Sequence, residues 1–313
     1  MHISYKPLWH TLIERNMRKE DLRLAAGLTT NMIANMGKGK HISMETLTKI
    51  CETLNCGILD VIELVQDSED VKQEKIDNRF YSVGIDGCKK AWLTAAICDG
   101  KLKLYRFDSL NELTDALPFD TCLIDMVIGL QGNERQIRPD GYARKILKGR
   151  ASTVFPAPCR KAVYEITKEQ RISANVEVLN KKFTSQTDAL IPKMREVDEF
   201  LQSYSQYKNV IQESHPEVCF TRLKGNVLFS NKHSPEGIRE RADIIAEYIP
   251  DVTTDWISSM AKKMKCNEDD VTDSVCLAIV ANLLAQGKTE TIPAKPMMDD
   301  TGLLMQMVIP REE

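Results

Sequence analysis

The stretch that decides the fold of most of this chain is FYSVGIDGCKKAW, Phe80 to Trp92. Within it, Tyr81, Val83 and Ile85 alternate with smaller residues, which is the period of two that is typical of a β-strand. The predicted strand ends at Asp86, and the glycine after it allows the backbone to turn tightly. The stretch therefore predicts a strand that carries a carboxylate at its end.

The residues that follow predict two more strands, a helix and a fourth strand. Ala91–Cys98 and Lys101–Phe107 are separated by Asp99–Gly100, and Asp-Gly between two such runs is a strong hairpin signal. The segment Ser109–Glu112 has the spacing of a capping box and opens a helix. The fourth strand, Thr121–Asp125, also ends in an acid. The order is thus three strands, a helix and a strand, with an acid at the end of the first and fourth strands.

Length and composition limit what the whole chain can be. A chain of 313 residues fits two domains, and a net charge of −3 with a pI near 6.1 means that any nucleic-acid site must be local. Nine scattered cysteines without a CxxC pair favour a reducing cytoplasm and argue against a disulfide framework or a zinc site. We expect no signal peptide and no membrane span, because no apolar run is long enough.

Residues 1 to 65 predict five short helices. These are Pro7–Asn16, Lys19–Ala26, Thr29 or Thr30 to Met36, Met44–Leu54 and Ile58–Val65. The middle pair, DLRLAAGLTTNMIANMGKG, reads as a helix, a tight turn with glycine, and a second helix, and this all-α region resembles the Cro/repressor-type helix-turn-helix family. The resemblance implies that residues 1–66 bind duplex DNA, as a homodimer on an inverted repeat. The residues implied to face the major groove are Thr29, Thr30, Asn31 and Asn35, with Lys38 and Lys40 near phosphates. The alternative is a module for protein interaction on the same scaffold.

A change of composition predicts the domain boundary. The segment QDSEDVKQEKID is polar, charged and free of aromatic residues, which is typical of a linker. We therefore predict a helix-turn-helix domain over residues 1–66, a linker over 67–77 and a larger domain over 78–313. Further elements predicted in the larger domain are a helix over Asp140–Leu147, a helix over Ser185–Leu201 kinked or interrupted at Pro192, a strand over Asn209–Glu213, helices over Ser234–Tyr248, Thr254–Met264 and Asp269 or Asp270 to Leu284, and a strand over Leu303–Ile309.

Acidic residues fall where predicted strands end or the last predicted helix begins. They are Asp86, Asp125, Glu213, Asp270 and Asp273. Carboxylates that pack together repel one another unless a cation neutralises them, and oxygen ligands suit Mg²⁺ or Mn²⁺. Each acid also has a simpler explanation, since Asp270 has the position of a helix cap and Asp86 that of a turn residue.

The motifs of the larger part, taken together, resemble a known family. GIDGC, LIDMVIGL, RPDGYAR, STVFPAPCR, ESHPEVCF, NKHSPEGIRER and DDVTDSVCLAIVA occur in this order. The set resembles domain of unknown function 429, a predicted ribonuclease H-like nuclease, across residues 79–313. The final helix also resembles that of Holliday-junction resolvases, with Ser274 where alanine is usual.

The resemblance implies an α/β fold with a mixed central sheet and a metal-dependent nuclease site. It implies catalytic roles for Asp86, Asp125, Glu213 and Asp273, which with Asp270 would hold two Mg²⁺ or Mn²⁺ ions about 4 Å apart. The implied phosphate contacts are Arg138, Arg144, Arg160, Lys232 and Arg239, although solvation or ion pairing explains arginines on helices equally well. His215 is a candidate general acid, but the favoured reading is a histidine that hydrogen-bonds a backbone group.

These observations support two classes of function. The leading hypothesis is a DNA-binding module joined to a metal-dependent phosphodiesterase that cuts nucleic acid. The alternative is a transcriptional regulator whose larger domain senses a nucleotide or other ligand. A nucleotide hydrolase of related fold would need a second glycine-rich phosphate loop, and the sequence shows no convincing one.

Overall fold

The computed structural model describes residues 2–15, 17–37, 40–65 and 81–312. The chain divides into two compact units, residues 1–74 and 75–313, which we call the N-terminal and C-terminal units. The predicted linker over residues 67–77 lies outside the described residues, so its boundaries stay a prediction. None of the helices in the described part of the chain combines the length and apolar character that crossing a membrane requires.

In the part of it that the structure describes, the N-terminal unit consists of four helices and two short strands that pair with each other. In chain order its elements are β1 (His2–Ser4), α1 (Lys6–Glu14), α2 (Lys19–Ala25), α3 (Thr30–Gly37), α4 (Met44–Leu54), a single 3-10 turn (Ile58–Asp60) and β2 (Glu63–Val65). Four of the five predicted helices are confirmed. The fifth, over Ile58–Val65, is wrong, because the chain extends after the 3-10 turn and β2 pairs with β1 in antiparallel register.

The helix-turn-helix itself follows from local chemistry. Gly27 adopts a φ of +62° between α2 and α3, a conformation that glycine takes without strain. Thr29 then caps α3, since its Oγ1 accepts a hydrogen bond from the Met32 amide at 3.2 Å. Leu22 and Met36 are buried and hold the two helices in one core.

The C-terminal unit is built on a mixed five-stranded sheet. Its strands are β3 (Tyr81–Cys88), β4 (Ala91–Cys98), β5 (Lys101–Phe107), β6 (Phe119–Ile124) and β7 (Ile211–Glu213), in the spatial order β5-β4-β3-β6-β7. The first three pair antiparallel, whereas β6 and β7 run parallel to β3. The hairpin prediction is confirmed, with positive φ at both Asp99 and Gly100. The α/β fold with a mixed sheet is likewise confirmed.

Helices and a second hairpin complete this unit. The helices are α5 (Leu110–Ala116), α6 (Asp140–Ile146), α7 (Arg160–Tyr164), α8 (Lys168–Leu179), α9 (Ser185–Ser203), α10 (Pro216–Lys224), α11 (Pro235–Ala246), α12 (Thr254–Met264) and α13 (Glu268–Ala285); the hairpin strands are β8 (Thr289–Met298) and β9 (Leu304–Pro310). Helix α9 contains Pro192 without interruption. Helices α7, α8 and α10 and strand β8 were not predicted. The β8 sequence contains two prolines, which argue against a strand because proline cannot donate a backbone hydrogen bond.

Helix α13 packs directly on the sheet. Most of its residues are buried, as expected for a helix that is apolar on all sides. Gly84 in β3 makes the close approach possible, because a Cβ there would lie 2.2 Å from both the Ala278 nitrogen and the Ser274 oxygen. This contact sets the start of α13 beside the end of β3, where the acidic residues are.

Candidate functional site

Three aspartates from three elements meet beside this contact. Asp86 lies near the end of β3, which extends two residues beyond its predicted end, to Cys88. Asp125 follows β6 directly, and its amide donates to the Ile85 carbonyl at 2.9 Å. Asp273 lies in α13 and is 1% exposed. Together with Glu217, described below, these residues form what we call the acidic cluster.

The charges of the cluster act on one another. Burial raises the pKa of Asp86 well above its usual value, and the charges of Asp125 and Asp273 raise it further. Burial also raises the pKa of Asp273 to about 6. The positive charge of Lys232 opposes this rise, and the negative charge of Asp125 adds to it. Mutual repulsion of this kind means that the three carboxylates are close and short of positive charge.

Lys232 is the predicted phosphate contact that the structure brings to the cluster. Its Nζ lies 2.7 Å from Asp273 Oδ2 and 3.4 Å from Asp269 Oδ2. Burial alone would lower the pKa of Lys232, but the surrounding aspartates outweigh burial and raise it. Lys232 therefore stays charged and offsets part of the negative charge.

Glu217 is a fourth acid of the cluster, and the sequence analysis missed it. It lies in the first turn of α10 and is 5% exposed. Its charge raises the pKa of both Asp125 and Asp273. The fully buried Arg241 holds its Oε1. The available signal was the His-Pro-Glu run, because Pro216 at the first helical position starts a helix and points to an acid in its first turn.

Glu213 does not join the cluster, which corrects the prediction. Its Oε1 lies 2.6 Å from Arg138 Nη2, and its Oε2 accepts the Ile128 amide at 2.7 Å. Burial raises the pKa of Glu213 to about 7, while Arg138 opposes the shift. The reason is that side chains alternate between the two faces of a strand. Glu213 pairs with Ile124 and lies on the same face of β7 as Ile211. Ile211 belongs to the hydrophobic core on the side of the sheet opposite α13.

The predicted phosphate contacts other than Lys232 have different surroundings. Arg138 is 4% exposed and also pairs with Asp140 at 3.1 Å, so it is part of the buried structure. Arg144 donates to the Val154 carbonyl at 2.6 Å. Arg160 bridges Asp198 and Asp299, each at 2.6 Å, and Arg239 is exposed on α11. Ion pairing describes Arg138 and Arg160, solvation describes Arg239, and a hydrogen bond to the backbone describes Arg144.

Two further side chains face the cluster. His215 Nδ1 is buried and has no hydrogen-bond partner among the described residues, so the favoured reading of a backbone-bonded histidine is not supported. Burial raises the pKa of Asp125, and His215 and Lys232 oppose that rise. Lys193 in α9 was missed: its Nζ lies 3.7 Å from the Trp92 ring centroid and donates to the Ala91 carbonyl at 2.7 Å. Burial lowers the pKa of Lys193, partly offset by Glu196 and Asp86.

Asp270 is oriented by the start of α13. Its Oδ2 accepts the Asn267 amide at 2.8 Å, which completes the capping box that was the simpler explanation for this acid. Beyond the cap, Asp270 forms a group with Cys88 and Cys266 whose potential ligand atoms all lie within 4.8 Å of one another. Among the described residues, the carboxylates of the acidic cluster form no group of three with this spacing, so a shared ion would have to draw them closer.

The residues predicted to read DNA lie on and next to α3. Thr29, Thr30 and Asn31 are exposed, and Asn35 is half-buried. Lys40 is exposed, whereas Lys38 lies outside the described residues. The start of α3 thus presents polar side chains to solvent, as a recognition helix does.

Comparisons with known proteins agree with this division. Residues 84–298 match the model of the family described as protein of unknown function (DUF429), and residues 7–67 match that of the Cro/C1-type HTH DNA-binding domain. The search of curated proteins finds no match. A solved structure, the crystal structure of transcriptional regulator VanUg, form II, is similar at 41% identity over 21% of this chain and 88% of that chain, with a TM-score of 0.21.

The N-terminal unit is therefore a helix-turn-helix DNA-binding domain, and its match extends from α1 through α4 to the end of β2. The other match spans the sheet, the acidic cluster and helix α13. Because that match covers more than half of the residues, the chain belongs to the family described as protein of unknown function (DUF429).

Proposed function

We propose that the C-terminal unit is a divalent-metal-dependent phosphodiesterase of the ribonuclease H-like class that acts on nucleic acid. The observation that carries the proposal is the acidic cluster, in which carboxylates from β3, the end of β6, α10 and α13 repel one another; Asp125 is half-buried and the other three are buried. Clustered carboxylates with perturbed pKa values are typical of functional sites. The strand order β5-β4-β3-β6-β7 also supports this class.

The donors of the cluster fit a hard cation. Asp273 Oδ1 is buried without a hydrogen-bond partner among the described residues, while its Oδ2 binds Lys232. An orphaned carboxylate oxygen is costly to bury unless something positive binds it. All the candidate ligands are carboxylates, which suits Mg²⁺ or Mn²⁺ rather than a thiophilic ion. We propose Asp86, Asp125, Asp273 and Glu217 as the ligands, with Glu217 in the role first predicted for Glu213.

The chain's own residues divide the work around such ions. Bound Mg²⁺ or Mn²⁺ would supply an activated water and charge stabilisation for the leaving oxygen. Lys232 fixes the orientation of Asp273, and Arg241 fixes that of Glu217. His215 offers Nδ1, which can hold or give a proton next to Asp125. Lys193, held over Trp92, offers a cation on the Asp86 side of the cluster.

A second candidate is a transcriptional regulator whose C-terminal unit binds a ligand. The observation that favours it is the DNA-binding domain on the same chain, since a sequence-specific reader joined to a ligand site is sufficient for regulation. In that case the acidic cluster would bind a cation or a cationic ligand without cleaving nucleic acid. Metal-dependent cleavage separates the two candidates.

The test measures the melting temperature and nucleic-acid cleavage of the full chain with and without Mn²⁺ or Mg²⁺. A ligand at 100 times its Kd stabilises the folded state by about 2.7 kcal/mol, which raises the melting temperature by roughly 5–10 °C for a domain of this size. We expect Asp86→Asn and Asp273→Asn to lose both the shift and the cleavage. The exposed Asp243→Asn on α11 is the matched control and should retain both.

Two outcomes would decide against the proposal. If neither cation changes the melting temperature and no single- or double-stranded DNA or RNA is cleaved, a metal-dependent phosphodiesterase is refuted. A cation-dependent shift without any cleavage leaves metal binding in place but favours the regulator.

A further inference from the structure

We propose a second metal site, of a different chemical class, formed by Cys88, Cys266 and Asp270. It would bind a thiophilic divalent cation such as Zn²⁺ through two thiolates and one carboxylate. The three ligand atoms lie within 4.8 Å of one another. In a tetrahedral zinc site with Zn–S bonds of about 2.3 Å, neighbouring ligand atoms are about 3.5–4 Å apart, so closing the group around an ion requires movements of about 1 Å or less.

Regular structure already positions all three ligands. Cys88 is the last residue of β3 and is fully buried. Cys266 follows Lys265, whose φ of 56° ends α12, and the Cys266 amide donates to the Ala261 carbonyl at 3.0 Å. Asp270 lies in the first turn of α13. The Cys88 thiol is within hydrogen-bonding reach of both Cys266 and Asp270. The site would thus tie the connection between α12 and α13 to the end of the central strand.

The surroundings of the ligands resemble the support that metal ligands need. The cap bond from the Asn267 amide occupies Asp270 Oδ2 and fixes the carboxylate, which leaves Oδ1 for an ion. The Arg106 guanidinium lies beside the Cys88 thiol. Two thiolates, a carboxylate and Zn²⁺ carry a net charge of −1, which this arginine would balance. Binding releases the two thiol protons to solvent.

An open cavity adjoins one of the three proposed ligands, Cys266, and would leave room for a fourth ligand. Cys266 and Asn267 line an open cavity of about 550 Å³ that also contacts His233 and Lys262. A water molecule has room there and polar partners on the wall. This geometry, with three protein ligands and one open position, differs from a closed site with four cysteines.

The site differs from the acidic cluster in both ligands and preferred ion. The cluster offers only carboxylates, whereas this group offers two sulfur ligands, which select Zn²⁺ over Mg²⁺. The inference does not rest on phosphodiesterase activity. It also revises the expectation against a zinc site, which considered only cysteines that are close in sequence, whereas the fold joins two distant ones.

The test is the absorption spectrum of the full chain, reduced and freed of metal, after addition of Co²⁺. Thiolate ligands give Co²⁺ intense charge-transfer bands in the near ultraviolet, which oxygen ligands do not give. We expect these bands in the wild type, their displacement by Zn²⁺, and their loss in Cys266→Ser. Cys266 is half-buried, so this variant disturbs the core less than Cys88→Ser, and circular dichroism checks that it folds.

A matched control comes from the N-terminal unit, where Cys51 and Cys56 also lie side by side. Cys56→Ser should retain the bands, and so should Asp86→Asn, which separates this site from the acidic cluster. The inference is overturned if the wild type shows only the weak bands of oxygen ligands, if the bands survive Cys266→Ser, or if Cys56→Ser abolishes them.

Discussion

Replacing Gly84 with alanine should separate β3 from α13 and damage the candidate site. The new Cβ would lie 2.2 Å from two backbone atoms of α13, whereas ordinary contacts begin at 3.4 Å. The helix must therefore move by about 1 Å, because backbone atoms cannot swing aside as a side chain can. Overpacking costs about 1–3 kcal/mol, and contact with a buried helix puts Gly84→Ala at the upper end. That cost lowers the melting temperature by about 6–12 °C.

Calorimetry of the full chain, with and without Mn²⁺, measures both consequences. Since α13 carries Asp273, we expect Gly84→Ala also to lose most of the Mn²⁺-induced shift. Gly141→Ala is the control of opposite sign: Gly141 lies in α6, a methyl group added there would meet no atom within 4 Å, and alanine should add roughly 0.5–1 kcal/mol. If Gly84→Ala melts within about 1 °C of the wild type, far less than overpacking would produce, the close packing of α13 on β3 is not as described.

Two further predictions concern residues with contrasting environments. Arg138→Met leaves Glu213 and Asp140 buried without their cation and should lower the free energy of unfolding by about 3–5 kcal/mol in urea, whereas the exposed Arg239→Met should change it by less than about 0.5 kcal/mol. Equal effects would contradict the buried network. Asn31→Ala should relax the sequence preference of the full chain in selection from random DNA duplexes, because each lost bidentate base contact costs about 1–3 kcal/mol. Replacing the exposed Thr53 on α4 with alanine should leave the preference unchanged. If Asn31→Ala also leaves it unchanged, Asn31 does not read the DNA sequence.

Much of the fold could be predicted because local signals and tertiary structure agree. The hairpin at Asp99–Gly100 depends on two residues that tolerate positive φ, and both adopt it. The cap at Ser109 forms as predicted, with the Glu112 amide donating to its hydroxyl at 3.2 Å. Strand β2 was not predicted, for the opposite reason. Its residues pair with β1, which lies at the other end of the N-terminal unit in sequence, and a local sequence pattern cannot indicate a pairing partner so far away in the chain.

The candidate site was predicted in part for the same reason. Asp86, Asp125 and Asp273 could be placed near one another because each lies at or near the end of a recognisable strand or the start of a recognisable helix, and the structure brings them together; their role as metal ligands stays a prediction. Lys193 could not be found, because α9 is distant in sequence and tertiary packing brings its Lys193 over Trp92 and onto the Ala91 carbonyl. The group of Cys88, Cys266 and Asp270 could not be found either, since it joins the end of a strand to a distant connection between two helices.

The error at Glu213 could have been avoided from the sequence. Side chains alternate between the two faces of a sheet, and aligned parallel strands keep the same alternation. Asp86 follows Ile85 and Asp125 follows Ile124, so both acids lie one position after a residue of the core that faces away from α13. Glu213 lies two positions after Ile211, which belongs to that same core, so it occupies the wrong face. An acid that faces α13 must therefore come from beyond the strand, and the start of α10 provides it as Glu217.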